Sequence, residues 1–179
     1  MAMPAASKHW TLEELHSLPD DGNKYELIHG ELFVTPAPTN DHETVLARLT
    51  DILGPYVRAN GLGRIYHPRA VFRFEGSEVE PDLMVRAEAP GIGNEWEKAP
   101  LPILIVEIFS PTTRRRDQTY KKDFYSEARI PEYWMIDPER QTLAVARPGE
   151  AARAVAGTVV WRPAQASEPL TIELLELFR

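Results

Sequence analysis

Residues 103–109, ILIVEIF, place a single carboxylate, Glu107, inside an otherwise apolar run. A run of this length and composition reads as a strand covered on both faces. A charge there is costly to bury unless something pairs with it. Ser110 and Pro111 end the strand, and a basic cluster follows at Arg114, Arg115 and Arg116. Asp117, Lys121 and Tyr125 are then spaced four apart, which puts them on one face of a helix. A second strand is expected over 133–137. Strand, helix, strand at this length is a βαβ-type unit. The chain must therefore hold a strand-borne Glu and a helix-borne Lys in rigid proximity. Two roles stand open for the pair: a buried structural bridge, or chemistry. A bridge alone adds little stability, because desolvation offsets its attraction.

The other elements are arranged around this unit. Thr11 and Glu14 have capping-box spacing and start a short helix that stops before Pro19 and Gly22. Residues 25–29 and 31–35 alternate around Gly30 and predict a hairpin. Its acids, Glu26 and Glu31, read as solvent-side residues, with Glu31 the better candidate for a place near a functional site. Residues 40–60 carry the strongest helical stripe, including Val45, Leu49, Leu53 and Val57, with Asn40 and Glu43 at capping-box spacing. His42 falls in its first turn, where it either faces a pocket or lies at the surface. Two short extended pieces are expected within 64–74, and a strand over 79–85 with Pro81 at its start and Asp82 just inside. Asp82 has a bland reading too, as an acid capping a turn. Residues 86–100 read as a loop with Trp96 as an anchor, and strands or a short helix finish the chain.

This makes an α/β chain with a mixed sheet in the order helix, three strands, helix, strand, extended by an N-terminal helix and hairpin and a C-terminal hairpin. At 179 residues, one domain over 11–179 after a loose terminus at 1–10 is expected. There is no cysteine, so a bound metal must take carboxylates, carbonyls or His, which favours Mg²⁺ or Mn²⁺ over structural zinc. No apolar run approaches the roughly 18 residues of a membrane span, and the first ten residues have no signal-peptide core. A cytoplasmic protein is expected. A net charge of −7 argues against a protein that coats nucleic acid, though not against a local basic site.

Asp82 and Glu107 sit on consecutive core strands, and a Lys follows on the next helix. Two carboxylates on adjacent strands can share a hard divalent cation. A Lys beside them can orient water or neutralise developing charge. These are the parts of phosphodiester hydrolysis.

Pro81-Asp82 followed by Glu107 within an apolar strand resembles the PD-(D/E)xK nuclease superfamily. Four segments, YELIHGEL, VEPDLMV, LIVEIFSPTTRRRDQTYKKDFY and IPEYWMIDP, resemble its bacterial branch of restriction-endonuclease-like proteins, long filed as a domain of unknown function. The resemblance implies a restriction-endonuclease-like fold and an endonuclease using Mg²⁺ or Mn²⁺ on nucleic acid, DNA first. It also implies homodimers. Asp82 and Glu107 would hold the metal and Lys121 would assist the attacking water, with Glu31 and His42 as further candidates. Arg114 to Arg116 read as a solvated helix entry or, alternatively, as a phosphate contact. The lysine of the superfamily motif would fall at Phe109, so the resemblance moves that role to Lys121 on the helix. The alternative is a non-catalytic nucleic-acid-binding or assembly module on the same fold.

Overall fold

The computed structural model describes residues 8–110 and 117–179, so Arg114, Arg115 and Arg116 lie outside the described residues. Helix α1 (Leu12–His16) opens with the expected capping box: Thr11 Oγ1 accepts from the Glu14 N–H, and the Glu14 carboxylate accepts from the Thr11 N–H. Strands β1 (Lys24–Ile28) and β2 (Glu31–Thr35) form a hairpin joined by His29 and Gly30. Both joining residues have positive φ, as a two-residue turn of this hand requires, and a Cβ at Gly30 would also strike the His9 ring.

Pro36 and Pro38 lead into helix α2 (Asn40–Ala59). Its N-cap is Thr39, one residue before the Asn40 that the capping-box spacing suggested: Thr39 Oγ1 accepts from the His42 N–H at 3.3 Å. The helix buries Val45, Leu49, Leu53 and Val57 along one stripe. Each such side chain, fully buried, contributes about 1.5–3 kcal/mol. Strands β3 (Arg64–Tyr66), β4 (Phe72–Phe74), β5 (Ser77–Val79) and β6 (Leu83–Arg86) follow.

Here the structure departs from the sequence reading. The strand expected over 79–85 is two strands in two sheets, and Glu80-Pro81-Asp82 is the crossing between them. Pro81 has no N–H to give to a ladder, so pairing stops there. After a short 3₁₀ turn at Trp96–Lys98 come β7 (Leu104–Ile108), a π-helical turn at Asp117–Lys121, helix α3 (Lys122–Glu127) and β8 (Tyr133–Asp137). The regular α-helix expected from Asp117 onward thus starts one turn later. Strands β9 (Thr142–Ala146), β10 (Arg153–Val155), β11 (Thr158–Trp161) and β12 (Leu170–Glu173) and helix α4 (Leu174–Phe178) complete the described chain.

Six strands form the main sheet in the order β10-β9-β8-β7-β6-β3, and four form a second sheet, β2-β1-β5-β4. In the main sheet only β7 and β8 run parallel. That pair is the βαβ-type unit predicted from 103–137. Alternation sorts its side chains: Leu104, Val106 and Ile108 join the core with α2, whereas Ile105 and Phe109 join the core with α3 and the second sheet. Glu107 must therefore face α3. No helix among the described residues is long and apolar enough to cross a membrane.

Candidate active site

Strands β6 and β7 pair antiparallel with Met84 opposite Ile105 and Leu83 opposite Val106. Continuing that register by one residue sets Asp82 beside Glu107. Asp82 ends the crossing between sheets, and Glu107 lies at the matching level of the next strand.

Glu107 is 1% exposed. Lys121 and Tyr125, one helical turn apart, both reach its Oε1: the Lys121 Nζ donates at 2.7 Å and the Tyr125 hydroxyl at 2.7 Å. Lys121, fully buried, also donates to Glu26 Oε1 at 2.8 Å. The same Glu26 oxygen accepts from the Glu80 N–H at 2.9 Å. Burial, then the Glu107 charge, pushes the Tyr125 hydroxyl well up, so it stays a neutral donor.

Asp82 has other company. Its Oδ1 accepts from Lys24 Nζ at 3.1 Å, and that ammonium also donates to the Glu80 carbonyl at 3.0 Å. Its Oδ2 accepts from the Ile108 N–H at 2.8 Å and lies 3.1 Å from His42 Nε2. Burial by itself raises the Asp82 carboxyl. Lys24, then His42, and Lys121 from the neighbouring cluster more than reverse this and hold it far below the usual carboxylate range. For His42, burial lowers the imidazole, but Asp82 and Glu43, 3.1 Å from Nδ1, outweigh it and raise the ring above its ordinary value. Glu80 is raised by burial, against the pull of Arg69 and Lys24.

A cavity of about 820 Å³ opens over this wall, lined by Lys24, His42, Glu80, Asp82 and Glu107, with Arg69 alongside. Neither Lys121 nor Glu26 lines it. Among the described residues no group of three or more His, Asp or Glu is placed to hold a metal ion by itself. The pair Asp82 and Glu107 nevertheless suits Mg²⁺ or Mn²⁺, which bind through one or two carboxylates and keep several waters.

Of the residues singled out from sequence, Asp82, Glu107, Lys121 and His42 come together. Glu31 does not. It shares the hairpin face of Glu26, but it pairs with Ile28 at the turn end of an edge strand, where it is exposed. The hairpin acid at the centre is Glu26, which is fully buried and not the solvent-side residue expected. Lys24, two residues earlier on the same face, was also missed. The signal for both was strand alternation, which groups Lys24 with Glu26 but does not say which face is covered.

Comparison with curated proteins gave no match. Among solved structures, the chain is similar to the crystal structure of a putative nuclease belonging to DUF820 from Anabaena variabilis ATCC 29413, with a TM-score of 0.76 and 22% identity over 94% of this chain and 97% of that one. The fold is restriction-endonuclease-like. A family model described as "Putative restriction endonuclease" matches residues 12–177, and the chain accordingly belongs to that family, Uma2.

Proposed function

We propose that this chain is a metal-dependent endonuclease hydrolysing nucleic-acid phosphodiesters, with DNA as its substrate. The observation that carries the reading is the placing of Asp82 and Glu107 side by side at the wall of one cavity. Family membership supports it. In the reaction, water adds its oxygen to phosphorus, the P–O ester bond breaks, and the leaving oxygen takes a proton. Asp82 and Glu107 would hold Mg²⁺ or Mn²⁺. The ion supplies Lewis-acid stabilisation of the charge that builds on the phosphoryl group and makes water more acidic. Lys121 assists through Glu107: it compensates that carboxylate from behind and, with Tyr125, fixes its Oε1. His42 and the Ile108 N–H fix Asp82 Oδ2 in the same way. A homodimer, which would bring one such site to each strand of a duplex, is the working form in this reading.

One observation favours a second reading, a nucleic-acid-binding or assembly module without turnover. Lys121 is sealed between Glu26 and Glu107 and has no exposed surface to offer a substrate. Plasmid and single-stranded DNA cleavage with Mn²⁺ or Mg²⁺ separates the two. The wild type should cut and EDTA should stop it. Asp82→Ala and Glu107→Ala, checked for folding by circular dichroism, should lose about 10²-fold or more in rate. Calorimetric Mn²⁺ binding through these acids without any cleavage would establish the second reading instead.

A further inference from the structure

The site contains two lysines, and they differ in what they can reach. Lys121 ends between two buried carboxylates and does not line the cavity. Lys24 comes from β1, lines the cavity, and keeps 16% of its side chain exposed. We propose that Lys24 is a catalytic residue of this site: it leaves Asp82 Oδ1 to bind a non-bridging oxygen of the scissile phosphate. The proposal rests on the nuclease reading and assigns the substrate contact within it.

The argument is one of partners. Asp82 Oδ2 is held by the Ile108 N–H and by His42, both fixed on neighbouring elements. Oδ1 has the Lys24 ammonium, which arrives on a four-carbon stem from the second sheet. An ammonium on a flexible stem is the partner that can be exchanged; a backbone N–H is not. Lys24 here supplies the countercharge that a buried Asp82 requires. Once that countercharge is supplied otherwise, the ammonium, still donating to the Glu80 carbonyl at 3.0 Å, gives up Asp82 Oδ1 beside the acid wall, where a phosphodiester must lie to be cut. A phosphate oxygen then replaces the carboxylate oxygen as its acceptor, and the charge-assisted bond is kept in kind. Arg69 is a poorer candidate. Its guanidinium, though it lines the same cavity, is engaged by Asp20 and sits 3.6 Å from Glu80 Oε1.

The test uses Lys24→Met and Lys24→Arg in the full chain. Mn²⁺ alone is titrated by calorimetry, and a short fluorescein-labelled DNA duplex is titrated with Ca²⁺ across a salt series. Removing the competing ammonium should tighten Mn²⁺ binding about two- to fivefold, the weight of a partly exposed ion pair. The slope of log affinity for the duplex against log salt should fall by about 1 in Lys24→Met and stay unchanged in Lys24→Arg. The rate constant for cleavage should drop about 10²-fold in Lys24→Met and recover in part in Lys24→Arg. Weaker Mn²⁺ binding with an unchanged salt slope would overturn the proposal and leave Lys24 a structural countercharge to Asp82. A wild type that cuts nothing overturns the nuclease reading, while the metal and salt-slope measurements still decide whether Lys24 exchanges Asp82 for phosphate.

Discussion

Asp82 and Glu107 are neighbours across one pair of strands, yet their surroundings are opposite. Around Asp82 the partners come from the cavity side: Lys24 and His42 each line the cavity, and each touches a different oxygen. Around Glu107 they come from behind: Lys121, at the end of the π-helical turn, and Tyr125, in α3, reach the same oxygen, and Lys121 is tied in turn to Glu26. The first cluster can exchange partners with a ligand at little cost. The second cannot, because whatever leaves it is stranded away from water. One site thus joins a replaceable half to a permanent half, and the permanent half sets the position of the acid it shares with the cavity.

The largest test of this contrast is Lys121→Met. It leaves Glu26 and Glu107 buried without their shared cation, and breaking a buried pair in this way costs about 3–5 kcal/mol. Urea unfolding should show that loss. Adding Glu26→Gln to Lys121→Met should return part of it, since one of the stranded charges is then gone. Next in size is Asp82→Asn, which weakens charge-assisted bonds worth about 1.5–3 kcal/mol. Lys24, being partly exposed, can turn to water, so the measured loss should lie below that of Lys121→Met. A larger loss for Asp82→Asn would reverse the assignment of the two halves. Tyr125→Phe removes one hydroxyl from Glu107 while Lys121 stays, and should cost about 1 kcal/mol by the same measurement.

The smallest effect is one of pH, in metal-free buffer. His42 is raised in the folded protein. Its stabilising contribution is complete below the unfolded value of about 6.5 and is lost as pH rises through the folded value. The melting temperature should therefore decline on the alkaline side, and that part of the decline should be absent in His42→Gln. Asp82, held low in the folded state, behaves oppositely: its contribution is present above about 3.9 and lost as pH falls. A His42→Gln profile that keeps the whole alkaline decline would detach His42 from the replaceable half.

The sequence made the permanent half's frame legible and much of its wiring invisible. Glu107 stood out because it is the single charge in an apolar strand, and Lys121 and Tyr125 because they repeat at helical spacing. Strand β8 and the stripe of α2 were legible for similar reasons: period and composition agree there. Glu26 and Lys24 were not. They lie on a five-residue strand whose sheet neighbour β5 and whose buried partner Lys121 both come from far along the chain, Lys121 being 95 residues after Glu26. Local alternation cannot report a cover that remote. The division of 79–85 into two strands was hidden for a related reason. Apolar residues stand at both ends of 79–85, Val79 and Leu83 to Val85, so the piece reads as one strand, while the sheet changes at the Glu80-Pro81-Asp82 between them. Asp82 was identified all the same, because it follows Pro81 directly, just ahead of the apolar Leu83, Met84 and Val85, in the Pro-Asp pair that carries the resemblance.

The hairpin of β1 and β2 also determines where the gene can tolerate a change in length. Lys24 and Glu26 occupy alternate positions of one short strand, and each serves a different half of the site. Inserting or deleting a single codon between Lys24 and Glu26 turns one of them to the opposite face, so a lesion of three nucleotides disconnects part of the centre without touching either acid at the cavity wall. The exposed turn at residues 149–152, between β9 and β10, carries no such constraint, and it is there that added residues should pass unnoticed.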